Sequence, residues 1–206
     1  MQNNNQTTIC IFGASITYGA WDLEKGGWAN RLRLYFDNIN NLNAAKVYNL
    51  GISGDTTSDL LQRFDVELSA REPNKIIFSI GNNDSVFLDK EKCQMTPIEK
   101  FEKNIKTLIS KSKKQTYDII FTGLTPVDEN KTTPIPWSVN KIYKNSYIKI
   151  YNDKIEEICQ KEKVKFIPLY ENFIKLKNYK EFLEDGLHPT SDGHQFMFEI
   201  IKQNLF

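Results

Sequence analysis

Thr7-Thr8-Ile9-Cys10-Ile11-Phe12-Gly13 is a near-continuous apolar run closed by a glycine. A strand that is apolar on both of its alternating faces is covered on both sides, which is the habit of parallel rather than one-sided antiparallel sheets. The same grammar returns four times. Lys46-Val47-Tyr48-Asn49-Leu50 ends at Gly51, Lys75-Ile76-Ile77-Phe78-Ser79-Ile80 at Gly81, Asp118-Ile119-Ile120-Phe121-Thr122 at Gly123, and Val164-Lys165-Phe166-Ile167 at Pro168. All five are expected to be buried strands.

Between them the apolar residues recur with helical period. Trp28, Leu32, Tyr35 and Phe36 share one face, and Leu60, Leu61, Phe64 and Leu68 another, after the cap candidates Asp55, Thr56 and Thr57. Ile98, Phe101, Ile105, Leu108 and Ile109 form a third stripe, Ile148, Tyr151, Ile155 and Ile158 a fourth, and Phe196, Met197, Ile200 and Ile201 a fifth. Alternating strands and helices of this kind predict an α/β fold, a three-layer α/β/α sandwich on a five-stranded parallel sheet. With 206 residues and 40 % hydrophobic content the chain suits one core, so residues 7–206 are expected to form a single domain behind a polar tail at 1–6.

Composition narrows the function. Lys+Arg of 27 against Asp+Glu of 26 leaves no basic footprint for nucleic acid. No apolar run approaches the ~18 residues of a membrane span, and residues 1–6 lack a basic, then apolar, leader pattern, so a cytoplasmic protein without integral membrane association is expected. Cys10, Cys93 and Cys159 are odd in number and far apart, which fits no disulfide framework, and without clustered His and Cys no metal site is expected.

In an open parallel sheet the ligand crevice lies beyond the carboxyl ends of the strands. Ser15 follows the first strand in Gly13-Ala14-Ser15-Ile16-Thr17-Tyr18-Gly19, where it is either an exposed nucleophile or a helix cap. The loops 49–57 and 81–84 carry Gly54 and Asn83, whose backbone and amide N–H groups suit an oxyanion hole and equally suit plain turns. Asp185-Gly186-Leu187-His188-Pro189 holds one of only two histidines, three residues from an acid. Few other groups in the chain are suited to act as a general base at neutral pH. The other histidine, His194, reads as a partly exposed structural residue. Trp137 lies in the long Pro-bearing segment 125–138 and reads as a wall or lid of a substrate pocket, with Phe87 in segment 85–95 as the opposite wall; packing or a homo-oligomer surface is the other reading of both.

Together, Gly-x-Ser-Ile-Thr-x-Gly, Ser-Gly-Asp-Thr, Gly-x-Asn-Asp and Asp-x-x-His-Pro, in that order, resemble the SGNH hydrolases, the GDSL esterase/lipase family. The resemblance implies a flavodoxin-like sandwich with Ser15 as nucleophile, His188 as general base and Asp185 as the acid that orients it. It further implies oxyanion donors at the Ser15 N–H, Gly54 and Asn83, no cofactor, and a small-molecule ester as partner. The expected reaction is hydrolysis of a small or medium acyl ester, an O-acetyl or lysophospholipid-like ester included, through a Ser15 acyl-enzyme. An acyltransferase on the same fold and a noncatalytic carbohydrate- or acyl-binding domain are the alternatives. One position departs from the family, which usually has aspartate where this chain has Ala14. Either a looser nucleophile loop or support from Asn82 and Asn83 follows, and the sequence does not choose between them.

Overall fold

The computed structural model describes residues 7–38 and 45–205; the tail at 1–6 lies outside them. In chain order the elements are β1 (Thr7–Gly13), α1 (Ser15–Tyr18), α2 (Gly27–Asp37), β2 (Ala45–Gly51), α3 (Thr57–Arg71), β3 (Lys75–Ser79), β4 (Phe87–Leu88), β5 (Cys93–Gln94), α4 (Ile98–Ser112), β6 (Ile119–Thr122), α5 (Glu129–Thr132), β7 (Lys141–Ile142), α6 (Asn145–Glu162), β8 (Lys165–Ile167), α7 (Leu169–Ile174), a 3-10 turn (Tyr179–Phe182) and α8 (Ser191–Gln203).

Five of the strands form one sheet in the order β2-β1-β3-β6-β8, all neighbours parallel. The pleat sends alternate residues to opposite faces. Cys10, Phe12, Ile76, Phe78, Ile119 and Phe121 pack with residues of α3, α4 and α6, whereas Ile9, Ile11, Ile77 and Ile120 pack with Trp28, Leu32 and Phe36 of α2 and Met197 and Ile201 of α8. Register lines Phe12 up with Phe78 and Phe78 with Phe121, and their rings stack with centroids 5.7 and 4.6 Å apart. This is the α/β sandwich that the apolar runs predict. One strand differs from its reading: β2 is an edge strand, so Lys46, Tyr48 and Asn49 are exposed while Ala45 and Val47 join one core and Leu50 the other.

The chain leaves β1 for β2 on one side and returns to β3 on the other. The strand order therefore reverses next to β1, and the crevice at that switch point is where the loops after β1, β2 and β3 converge. Arg63 of α3 fastens this edge, pairing with Asp55 and donating to the Leu50 carbonyl at 2.9 Å. The α3 cap is Thr56, in a capping box with Asp59, while Asp55 is the partner of Arg63.

Candidate active site

Gly13 closes β1 where no side chain fits: a Cβ there would lie 2.0 Å from Thr17 Oγ1 and 2.5 Å from the Ser79 carbonyl. The close approach lets α1 start at once, with Ser15 in its first turn, where a backbone N–H has no acceptor behind it in the helix. Asp185 Oδ1 accepts from the Leu187 N–H at 2.9 Å and the His188 N–H at 2.8 Å, a local turn that sets the carboxylate beside the imidazole. His188 Nδ1 lies 2.7 Å from Asp185 Oδ2, and His188 Nε2 lies 2.9 Å from Ser15 Oγ. Three side chains separated by up to 173 positions thus form one hydrogen-bonded line.

The electrostatics agree with an ionised acid. Burial alone would raise the Asp185 carboxyl, but hydrogen bonds from the His188 ring and backbone and from Leu187 hold it well below the usual carboxylate range. His188 is only 7 % exposed.

Gly54 sits at φ 89° with open space where a Cβ would be, so its backbone is accessible from the cleft it lines. Asn83 Oδ1 accepts from the Tyr143 hydroxyl at 2.8 Å and its Nδ2 donates to the Asp55 carbonyl at 2.9 Å. Tyr143 thereby fixes which way the amide faces, leaving the second N–H to the cleft that Asn83 lines. Behind them Asp84, buried, accepts from the Thr57 N–H at 3.0 Å and the Thr57 hydroxyl at 2.6 Å, tying the loop after β3 to the start of α3.

Ala14 is partly buried against the core. Neither asparagine takes over for the missing carboxylate: Asn82 exchanges hydrogen bonds with Thr125, and Asn83 with Asp55 and Tyr143. The loop after β1 is held instead by Asn49 Nδ2 to the Thr17 carbonyl (2.9 Å), the Ile52 N–H to the Gly13 carbonyl (3.1 Å) and the Thr17 hydroxyl to the Ser79 carbonyl (3.3 Å).

Ser15, His188, Gly54, Asn83 and Tyr143 line a cleft of about 1010 Å³. Residues 11–196 match the model of the GDSL-like lipase/acylhydrolase family. The chain belongs to that family. As a GDSL-like acylhydrolase it is an enzyme that acts on ester bonds. It is 24 % identical to a human isoamyl acetate-hydrolyzing esterase 1 homolog, over 92 % of this chain and 77 % of that one. Its fold is similar to that of the lipase/acylhydrolase from Enterococcus faecalis (TM-score 0.80, 23 % identity, 97 % of this chain and 95 % of that one). It is also similar to that of Axe2, an acetylxylan esterase from Geobacillus stearothermophilus (TM-score 0.76, 19 % identity, 97 % and 94 %).

The remaining residues of this acylhydrolase fall into place around the line. Trp137, 55 % exposed, lines the cleft and lies nearly parallel to the His188 ring at 6.1 Å. Phe87 is not among the lining residues. Its β4 position is opposite Ile142 of β7, so the pleat turns it away from the face on which neighbouring Lys141 reaches the cleft, and its ring packs on Tyr147. Trp21 and Tyr143, to which the sequence reading assigns no role, both enter the cleft. The signal for Trp21 is faint: a large aromatic in a short segment bounded by Gly19 and Gly26-Gly27. Among the described residues the grouping with metal-ligand spacing is Asp153, Glu156 and Glu171, away from the cleft lining, with Asp153 and Glu171 paired to Lys149. Among the same residues no helix is long and apolar enough to cross a membrane.

His194 is fully buried rather than partly exposed, because α8 packs its first turn on α2; its Nδ1 accepts from the Trp28 N–H at 3.2 Å. Burial lowers its pKa to about 4 from an ordinary 6.5. The stability that depends on neutral His194 is therefore full above about pH 6.5 and is lost as pH falls toward 4, since only the unfolded chain takes up the proton in between. Asp84 opposes this: burial pushes it up to about 6 from 3.8, so the folded state takes up a proton below about 6 and regains stability there. Urea midpoints are expected to fall between pH 7 and 4.5, less steeply in His194→Gln and more steeply in Asp84→Asn.

Proposed function

We propose that the enzyme is a serine esterase that hydrolyses a short-chain acyl ester through an acyl-enzyme on Ser15. The observation that carries this reading is the unbroken line from Ser15 Oγ to His188 Nε2 (2.9 Å) and from His188 Nδ1 to Asp185 Oδ2 (2.7 Å) on the wall of an open cleft. A carboxylate 2.7 Å from Nδ1 keeps the ring proton on that nitrogen, which leaves the Nε2 lone pair for the Ser15 proton. Ser15 Oγ attacks the ester carbonyl while its proton passes to Nε2; the carbonyl π electrons move to oxygen, facing the N–H groups of Ser15, Gly54 and Asn83. Collapse of the tetrahedral adduct expels the alkoxide, which takes the proton from Nε2 and leaves as alcohol. Water then repeats the sequence, returning the proton to Ser15 and the acyl group to solution as acid.

The leaving alcohol must pass His188, because His188 protonates it, so the alcohol portion lies on the side of Trp137. Both the isoamyl acetate-hydrolyzing homolog and the acetylxylan esterase are named for acetyl esters of very different alcohols, which favours a small acyl group here with the wide aromatic side given to the alcohol. Trp137→Ala is expected to raise KM about three- to tenfold for acetates of bulky alcohols, the worth of one aromatic contact, and to leave methyl acetate unchanged. Labelling with a fluorophosphonate followed by peptide mass spectrometry tests the mechanism. The adduct is expected on Ser15, and an adduct elsewhere with Ser15 untouched would overturn it.

A further inference from the structure

The loop between α1 and α2 delivers a donor to the triad acid. Trp21 Nε1 lies 2.8 Å from Asp185 Oδ2, the same oxygen that meets His188 Nδ1, and 3.1 Å from Nδ1 itself. An indole nitrogen only donates. Because Nδ1 beside the carboxylate already carries a proton, the indole hydrogen belongs to Oδ2. The carboxylate then holds four donors, two on each oxygen: the Leu187 and His188 N–H groups on Oδ1, and the His188 ring and Trp21 on Oδ2.

Two further observations show that this placement is built rather than incidental. Trp21 sits at φ 68°, in the left-handed region that residues with a Cβ rarely adopt, although the residue is 57 % exposed and has no core to fill. Its neighbour Asp22 is buried in an ion pair with Arg31. Asp22 also accepts from the Gly27 N–H at 2.7 Å and the Ser191 hydroxyl at 2.6 Å, while Arg31 donates to the Ser191 carbonyl at 3.2 Å. Ser191 opens α8 three residues after His188, so a buried network clamps the Trp21 loop to the loop that bears the imidazole.

We propose that Trp21 is a positioning residue: its indole N–H fixes Asp185 Oδ2 against His188 Nδ1 and takes a share of the oxygen's charge. This rests on the Ser15, His188, Asp185 reading above. Of the titratable groups around the pair, Tyr143 of the loop after β7 faces Asp185 and His194 of α8 faces His188, while Lys141 of β7 and Asp22 of the Trp21 loop line the same cleft and Lys131 of α5 lies behind Gly186. Trp21 is the donor among these neighbours that touches Oδ2.

The test is steady-state hydrolysis of p-nitrophenyl acetate across pH by Trp21→Phe, Trp21→His, Asp185→Ala and the double variant Trp21→Phe/Asp185→Ala. Trp21→Phe is expected to lower kcat about tenfold with KM unchanged, as for the loss of one hydrogen bond to a charged group. The acidic limb of its kcat/KM profile is expected to move to higher pH, because Oδ2 keeps more of its charge for the imidazolium. Trp21→His, which retains a ring N–H, is expected to recover part of the rate. With Asp185 already gone, Trp21→Phe should change kcat by less than about twofold. An equal loss in both backgrounds, or a loss in KM alone, would make Trp21 a pocket wall and overturn the proposal, as would an unchanged kcat and profile. If Trp21→Phe does not fold, Trp21→Gly suits the left-handed backbone and is held to the same outcomes. An undiminished rate in Asp185→Ala would overturn the underlying triad reading instead, a result distinct from any failure of Trp21.

Discussion

Ser15→Ala is expected to lower kcat for p-nitrophenyl acetate by about 10⁶-fold, with KM nearly unchanged. The substitution removes one oxygen from the first turn of α1, and no core contact depends on that atom. What it deletes is the partner of His188 Nε2 and the atom that would carry the acyl group. His188→Ala is expected to cost about as much, and the double variant hardly more, because in the proposed mechanism Ser15 and His188 act as one unit. Residual turnover should remain well above the uncatalysed rate, since in the proposed mechanism the Gly54 and Asn83 donors would still face the carbonyl oxygen. Rates measured before and after fluorophosphonate treatment, which blocks contaminating serine hydrolases but finds no serine at position 15 in the variant, check this. A tenfold drop, or additive losses in the double variant, would place the chemistry elsewhere in the cleft.

The parts of the molecule that could be read from sequence are those whose signal is local. Runs such as Ile9-Cys10-Ile11-Phe12 and Ile76-Ile77-Phe78 are apolar on both pleat faces, and the glycines that end them force the chain to turn, so the five strands and their order of appearance are visible without any partner. The edge position of β2 depends on which strand lies beside it, and of Lys46-Val47-Tyr48-Asn49-Leu50 only Val47 and Leu50 are buried, one toward each core. The small sheet of β5, β4 and β7 consists of two-residue strands too short for a periodic signal, and its β4–β7 pairing joins segments that only the fold brings together, Phe87 opposite Ile142 and Leu88 opposite Lys141. His194 follows the polar turn Ser191-Asp192-Gly193, which reads as surface until α2 is laid over it.

The same division runs through the site. Ser15, Gly54 and Asn83 each follow a strand, and Asp185 and His188 share one turn, so the spacing of short motifs exposes them. Tyr143 and Trp21 act across 60 and 164 positions, on partners that only the fold brings near. Ala14 shows the limit from the other direction. Its sequence context points to lost support for the nucleophile loop, yet Asn49 from β2 and Ser79 from β3 supply hydrogen bonds that no motif advertises.

Asp185→Asn is expected to lower kcat about 10⁴-fold, and the pattern of donors explains why so conservative a change is so costly. An amide has one oxygen and one NH₂ where the carboxylate has two acceptors. With its oxygen toward the Leu187 and His188 backbone N–H groups, its NH₂ faces the His188 ring and the Trp21 indole. The ring must then accept at Nδ1 and carry its proton on Nε2, so it can no longer take the proton of Ser15. Turned the other way, the amide keeps the ring proton on Nδ1 but sets its NH₂ against two backbone donors. Either orientation leaves donors facing donors, so Asp185→Asn is expected to lose about 1 to 3 kcal/mol of stability as well as rate, which urea unfolding would register. Removing the negative charge also withdraws stabilisation from the imidazolium, so the acidic limb of kcat/KM should move to lower pH, opposite to the shift expected for Trp21→Phe. A loss of only a few-fold in kcat, with stability intact, would reduce Asp185 to a turn residue and leave His188 to work without an orienting acid.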